Sequence, residues 1–280
     1  MSHPCGLITL ITEQHGGFMF EIVTTSHRGK RCSTQQDALF DGVCCVQSAD
    51  LAPNSRLIHA PFTVAVADGV SVSVQPHRAS LTAVTLLQKL CAQSELNPKL
   101  IRALHVQLCE QLAKGQTYGS STTLVAAQIV DNLCTIINVG DSRAYLINSI
   151  NSNRQWTQLS RDHTIINGLI DRGEASPDTE YAGIYYGLEH CLVADFEEFE
   201  FAMHHTKQRI NAGDTLLLCS DGVHDELGDE YLFSLLDSRL TLIEQAQVWR
   251  DAVLRTGASD NFSMILARAG GALSQSNQGV

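Results

Sequence analysis

No run of apolar residues in this 280-residue chain reaches the roughly 18 needed to cross a bilayer. Its first residues, MSHPCGLITLITEQHGG, have neither a basic n-region nor a small-residue cleavage site, so a secretory leader is not expected. Basic clusters are missing as well. The 19 Lys and Arg are scattered among 30 Asp and Glu, giving a net charge of −11, which argues against a nucleic-acid or anionic-membrane surface. Nine cysteines include no CxxC pair, and neither His nor Cys shows zinc-like spacing. Cys91, Cys109, Cys134 and Cys219 fall in apolar patterns, where a free thiol acts as a small hydrophobe. The odd count points to a reducing compartment, so a cytoplasmic location is expected. The vicinal Cys44 and Cys45 read as strand residues.

What is present begins with a 44% hydrophobic composition, enough for a large core in one large domain or two small ones. Three apolar stretches run straight into an aspartate: FTVAVAD (62–68), LCTIINVGD (133–141) and TLLLCSD (215–221). A fourth, Asp260, directly precedes DNFSMILARA. Short Val, Ile, Leu and Phe runs bounded by turn residues read as buried strands, so four carboxylates fall where backbone leaves the core. Each alone has a plain reading, an Asp bonding its own turn. Gathered together they would repel one another in a half-buried place, a penalty that a divalent cation removes.

Strands are expected at 18–25, 39–47, 62–67, 122–130, 133–139, 143–148, 191–202, 215–219 and 262–268. Asp131-Asn132 reads as a tight hairpin turn. Apolar positions three and four apart predict helices at 77–93, 98–113, 229–237 and 241–256. The segment 162–190 reads as an irregular surface insertion carrying a short helix. Residues 1–17 are expected to be a flexible extension, and 269–280 a disordered Gly/Ser/Gln-rich tail. Strands in runs and helices in pairs give an α+β class with mainly antiparallel sheets.

The ordered blocks GKRCSTQQDA (29–38), VAVADGV (64–70), GSSTTLVAA (119–127), INVGDSRAYLI (137–147), LSRDHT (159–164), GDTLLLCSDGVHD (213–225) and SDNFSMILA (259–267) resemble the motif series of the metal-dependent PP2C (PPM) protein serine/threonine phosphatases, bacterial type. The resemblance covers roughly residues 20 to 268. It implies a four-layer αββα sandwich, with two mainly antiparallel sheets flanked by helix pairs and a metal centre at one end. On that similarity Asp68 bridges two Mn²⁺ or Mg²⁺ ions, the Gly69 carbonyl binds one of them, Asp221 and Asp260 complete the pair, and Asp37 holds metal-bound water. Asp141 matches a position that helps hold a third, weaker ion, and 162–190 matches the flap beside the cleft. The resemblance also implies a phosphorylated protein substrate and a cognate Ser/Thr kinase; the lack of attached sensor or transmembrane segments suggests a free-standing catalytic domain, expected as a monomer, and the charge pattern predicts no nucleic acid or membrane partner.

The chemistry agrees on separate grounds. Carboxylates, a carbonyl and water are the hard oxygen donors that Mg²⁺ and Mn²⁺ prefer. A phosphomonoester dianion repels hydroxide, and a metal pair both offsets that charge and acidifies a bridging water for in-line attack, without a nucleophilic Ser or Cys. Glycine at 69 would let backbone approach an ion; an ordinary turn glycine is the plainer reading. Asp162-His163 reads as a loop stabiliser or helix cap.

Two blocks depart from the family pattern. Gln36 stands where many members carry Glu, so it offers no charge. Arg31 is the expected phosphate-binding arginine, since its fork can take two oxygens, with Arg28 and Lys30 as competitors and a solvated basic turn as the bland reading. After Asp68-Gly69 the usual Gly-Gly pair is replaced by Val70-Ser71-Val72-Ser73-Val74-Gln75-Pro76-His77. His77 then has two readings, an acid for the leaving alkoxide or a surface residue opening a helix. These departures motivate an alternative to catalysis, a pseudophosphatase that binds phosphoproteins. Two-metal phosphodiesterase or nuclease chemistry is a third reading, disfavoured by the acidic surface.

Overall fold

A computed structural model describes residues 18–148, 155–197 and 200–270. The expected extension at 1–17 lies outside the described residues, as do positions 271–280 of the expected tail. The chain opens with strands β1 (Met19–His27), β2 (Ala38–Phe40), β3 (Cys45–Val46), β4 (Asp50–His59) and β5 (Phe62–Ala67), then helices α1 (Pro76–Cys91) and α2 (Pro98–Leu112). There follow β6 (Ser121–Thr122), β7 (Leu124–Val130), β8 (Leu133–Val139), β9 (Arg143–Asn148), β10 (Gln155–Gln158) and α3 (Ile165–Asp171). The rest is β11 (Leu192–Val193), β12 (His204–Arg209), β13 (Thr215–Cys219), α4 (Asp221–Leu227), α5 (Asp229–Ser234), α6 (Leu242–Thr256) and β14 (Phe262–Ala269).

Two six-stranded sheets run β10-β9-β13-β14-β1-β4 and β12-β8-β7-β5-β2-β3, and neighbouring strands pair antiparallel throughout. Strand side chains alternate between faces, and that alternation builds the layers. Val64, Val66, Ile136, Leu146, Leu216, Leu218 and Ile265 pack sheet against sheet. Their neighbours Ala65, Ala67 and Ile137 face Leu87 and Leu104 of α1 and α2. Across the molecule Tyr145, Leu217 and Leu266 face Trp249 and Ala246 of α6. The result is the expected αββα stack. Because β5, β8 and β13 are covered on both faces, they read in sequence as unbroken apolar runs although the sheets are antiparallel.

The helix ends follow from their sequences. Pro76 and Pro98 sit in first turns, where a missing N–H costs nothing. Asn97 Oδ1 accepts from the Leu100 N–H at 3.1 Å, and Thr241 with Glu244 closes a capping box on α6. At the β7–β8 hairpin Asp131 adopts φ +53°, the left-handed geometry that a two-residue turn requires.

Several elements differ from expectation. β4, β10 and β12 were not anticipated; all three are edge strands, and their half-solvated sequences, such as HHTKQR, carry no apolar run. Pro53 is tolerated in β4 because an edge strand leaves one side unpaired. The strand expected at 39–47 is split into β2 and β3 by a turn in which Asp41 Oδ1 accepts from the N–H groups of Val43 and Cys44. The strand expected at 191–202 contracts to β11, and α4 is an added helix. β14 reaches Ala269, whose N–H donates to the Asp214 carbonyl at 3.0 Å.

Candidate active site

β5 delivers Asp68 at the rim of the inter-sheet core, and its backbone is held there on both sides. The Asp68 N–H donates to Thr123 Oγ1 at 3.0 Å, and its carbonyl accepts from Thr122 Oγ1 at 2.9 Å and the Thr123 N–H at 2.8 Å. Gly69 follows, its N–H donating to the Gln36 carbonyl at 3.2 Å. A Cβ on Gly69 would sit 2.6 Å from the Pro76 carbonyl carbon and oxygen, so close packing against the first turn of α1 already demands glycine. This steric demand stands beside both expectations for Gly69, a turn glycine and a backbone that approaches an ion.

Asp37, next to β2, is fully buried. Its Oδ2 accepts from Ser220 Oγ at 2.8 Å, while Oδ1 has no hydrogen-bond partner. Ser220 also closes β13 onto β14 through the Ser263 N–H at 3.0 Å. Asp221 opens α4, and its Oδ1 is likewise buried without a partner. Gly222 behind it must be glycine, because a Cβ would meet the Asn261 carbonyl oxygen at 1.9 Å. Asp141 follows Gly140, which takes φ +97° with its Cα facing Thr123.

Gln36, Asp68, Gly69, Asp141, Asp221 and Asp260 line one cavity of about 210 Å³, together with Tyr186 and Leu188 from the 162–190 segment. Its lining contains no Lys or Arg. Burial raises the Asp37 carboxyl to about 7, with the Asp221 charge adding to the rise. Asp141 is raised to about 7 by burial and then by Asp221. Asp68 stands well above the ordinary carboxylate range, first from burial and then from Asp221, Asp37 and Asp141, and a hydrogen bond shared with Asp221 favours a proton on Asp68. Asp221 is raised too, chiefly by burial.

Among the described residues no three Asp, Glu, His or Cys side chains already converge as a finished cage. The donor set nevertheless fits a hard divalent cation, since mutually repelling carboxylates with two orphaned buried oxygens lack only positive charge.

Arg31, Asp37 and His77 are not in the cavity wall, although Asp37 interacts electrostatically with Asp221 in that wall. Arg31 is exposed. Of its competitors, Arg28 donates to the Ser33 carbonyl at 3.3 Å and Lys30 to the Leu254 carbonyl. His77 is the second residue of α1, its carbonyl accepting from Gln47 Nε2 at 2.9 Å, which matches the helix-opening reading. Asp162 takes the loop role, holding Arg143 through contacts at 2.6 and 2.9 Å, while the cap of α3 is Thr164.

Two residues of the site had drawn no role from sequence. Asn261 clasps the 28–36 loop, accepting from the Gln36 N–H at 2.7 Å and donating to the Arg28 carbonyl at 2.6 Å. Buried His224 places Nε2 3.2 Å from the Asp141 carbonyl and Nδ1 2.9 Å from Asp225 Oδ1, the latter off the line a hydrogen bond requires. Both lie inside quoted motif blocks, but a block does not say which distant backbone its polar residues reach.

An αββα sandwich whose sheets open on buried aspartates defines a class of phosphatase folds, and the comparisons assign the class. The chain belongs to the protein phosphatase 2C family, whose model matches residues 35–256. It is 34% identical over 155 residues to the serine/threonine phosphatase stp of Listeria monocytogenes, a stretch covering 53% of this chain and 56% of that protein. The match thus spans little more than half the length of that relative. The fold is similar to Stp1 of Staphylococcus aureus, with TM-score 0.73 and 24% identity over 91% of this chain and 97% of that one. It is also similar to the catalytic domain of the serine threonine protein phosphatase PstP in complex with 2 manganese ions, with TM-score 0.67 and 23% identity over 91% and 100%.

Proposed function

We propose that this chain is a metal-dependent protein phosphatase that hydrolyses phosphoserine and phosphothreonine monoesters. The observation that carries the reading is a cavity lined by Asp68, Asp141, Asp221 and Asp260, in which one Asp221 oxygen is buried without a partner, as is one oxygen of Asp37 outside that lining. Asp68, Asp221, Asp260 and the Gly69 carbonyl would hold a divalent pair of the kind in the manganese complex, with Asp37 and Asp141 beside them. When bound, such a pair offsets phosphoryl charge and acidifies a water.

The chain's own residues do the rest. Ser220 fixes one Asp37 oxygen and leaves the other without a partner, and that oxygen would hold metal-bound water. Thr122 and Thr123 hold the Asp68 backbone still. Asn261 keeps the 28–36 loop against the cavity, with Arg31 proposed as its phosphate contact. Tyr186 and Leu188 bring the 162–190 segment into the cavity wall. Partnership with a kinase, a cytoplasmic place and a monomeric state belong to the same proposal. Among the described residues no helix is long and apolar enough to cross a membrane.

The test is release of phosphate from a phosphothreonine peptide with Mn²⁺, using Asp68→Asn as control. Wild-type turnover falling at least about 100-fold in the variant supports the reading. Tight Mn²⁺ binding without turnover favours a phosphoprotein-binding module instead.

A further inference from the structure

The departure of the 70–77 loop from the family pattern leaves an unusual surface. Val72 is 95% exposed and Val74 also faces solvent. This is not a slack segment. The Ser73 N–H donates to the Val70 carbonyl at 2.9 Å, Ser73 Oγ accepts from the Ser121 N–H at 3.1 Å, and the Val70 N–H donates to the Ser121 carbonyl at 3.0 Å. The loop is therefore tied to β6 while it holds two valines outward. A second exposed apolar group lies on the flap, where Ile184 is 77% exposed beside Tyr185 and Tyr186 in a short 3₁₀ turn. Tyr185 packs edge-on against Tyr181, with centroids 5.9 Å apart.

The acidic cavity joins the two groups, because Val70 and Ser71 line it from one loop and Tyr186 and Leu188 from the other. At about 210 Å³ it has room for a phosphoryl group but not for the residues on either side of it. Those residues must cross the rim. Next in sequence to the lining residues Val70, Ser71, Tyr186 and Leu188 come the exposed Val72, Val74, Ile184 and Tyr185, and the charged side chains of the lining, Asp225 and Asp260 among them, repel acidic side chains. Exposed apolar groups bordering a polar site mark a contact surface.

We infer that the 70–74 loop and the 184–186 turn form an apolar collar that selects phosphopeptides with bulky apolar residues next to the phosphorylated Ser or Thr. The inference rests on the phosphatase reading for its substrate and on the collar for its preference. Two phosphothreonine peptides distinguish it, one flanked by Leu and Ile, the other by Glu and Asp, with p-nitrophenyl phosphate as a substrate that never reaches the collar. Wild type should favour the apolar peptide. The Val72→Ser/Val74→Ser double variant and Ile184→Ser, both at solvent-facing positions, should lower kcat/KM for that peptide roughly five- to tenfold. Turnover of p-nitrophenyl phosphate should stay within about twofold. No preference in wild type, or an equal loss on p-nitrophenyl phosphate, overturns the collar and leaves the phosphatase reading intact. If no substrate turns over, that reading fails, and fluorescence anisotropy of the same labelled peptides still decides: tighter apolar binding lost in the variants supports the collar, and equal binding overturns it.

Discussion

Two charged regions meet along a second cavity, of about 250 Å³, lined by Asp141, Arg143 and Asp162 among others, and they handle buried charge in opposite ways. On one side Arg143 reaches Asp162 at 2.6 Å and Asp229 at 3.1 Å, and also donates to the Tyr145 hydroxyl at 3.1 Å. Burial is the largest single influence and works against the guanidinium charge there, but the hydrogen bonds and charges of Asp162 and Tyr145 together outweigh it. On the other side Asp68, Asp141 and Asp221 line a cavity with no Lys or Arg, Asp37 interacts with Asp221 from outside that lining, and all four carboxyls are raised. Matched charge is structural. Unmatched charge, kept at a cost to stability, is the mark of a site that takes its cation from solution.

The largest effect that would break this contrast is on the matched side. Arg143→Met leaves the buried Asp162 carboxylate without its charged partner, with only Gln158 Nε2 still donating to it at 2.9 Å, and should cost about 3 kcal/mol in urea unfolding. Adding Asp162→Asn should recover much of that loss, because the uncompensated charge is then gone. If the double variant is as unstable as the sum of the two, the pair is not coupled and the contrast is lost.

On the unmatched side the expected effect is somewhat smaller and has the opposite character. Mn²⁺ at about 100 times its Kd should stabilise wild type by about 2.7 kcal/mol. Asp221→Asn should shrink that response while leaving the metal-free protein no less stable, since it removes one of several like charges. Thermal unfolding with Mn²⁺ and with chelator reads both quantities. An undiminished Mn²⁺ response in the variant would show that the ion binds elsewhere.

The same contrast explains what was legible in the sequence. Asp68, Asp141 and Asp221 stood out because each follows an apolar run buried on both faces, and such a run ends where the core ends. Edge strands β4, β10 and β12 pair on one side only, so their polar sequences carry no such signal. Arg143 was quoted within a motif, yet its partners Asp162 and Asp229 lie 19 and 86 residues away. Asn261 holds Gln36 across 225 residues. Spacing along the chain cannot announce pairings of that kind; the antiparallel neighbours of β14 bring Asn261 to the loop after β1, and those of β9 bring Arg143 to the segment after β10. Arg31 and His77 were named for their chemistry, but loop geometry decides what they reach, and periodicity does not encode it.

The smallest effect concerns the seam between the two regions. His163 follows Asp162, and its Nδ1 accepts from the N–H of Gly140, the residue before Asp141, at 3.0 Å. Burial lowers its pKa to about 4, with His190 and His204 also facing it and Asp162 pulling the other way. A folded-state value below the unfolded one means that the unfolded chain takes up the proton first as pH falls. The stability His163 contributes is therefore fully present above about 6.5, is lost on acidification toward about 4, and changes no further below that. The loss should be on the order of 2 kcal/mol, and protonation also removes the acceptor that Gly140 uses. His163→Asn keeps an acceptor without the titration, so wild type minus variant isolates this slope from that of the aspartates. Urea unfolding at pH 7, 6, 5 and 4 measures it. Parallel curves for the two proteins would mean that the seam is held by packing alone, with no part played by the neutral imidazole.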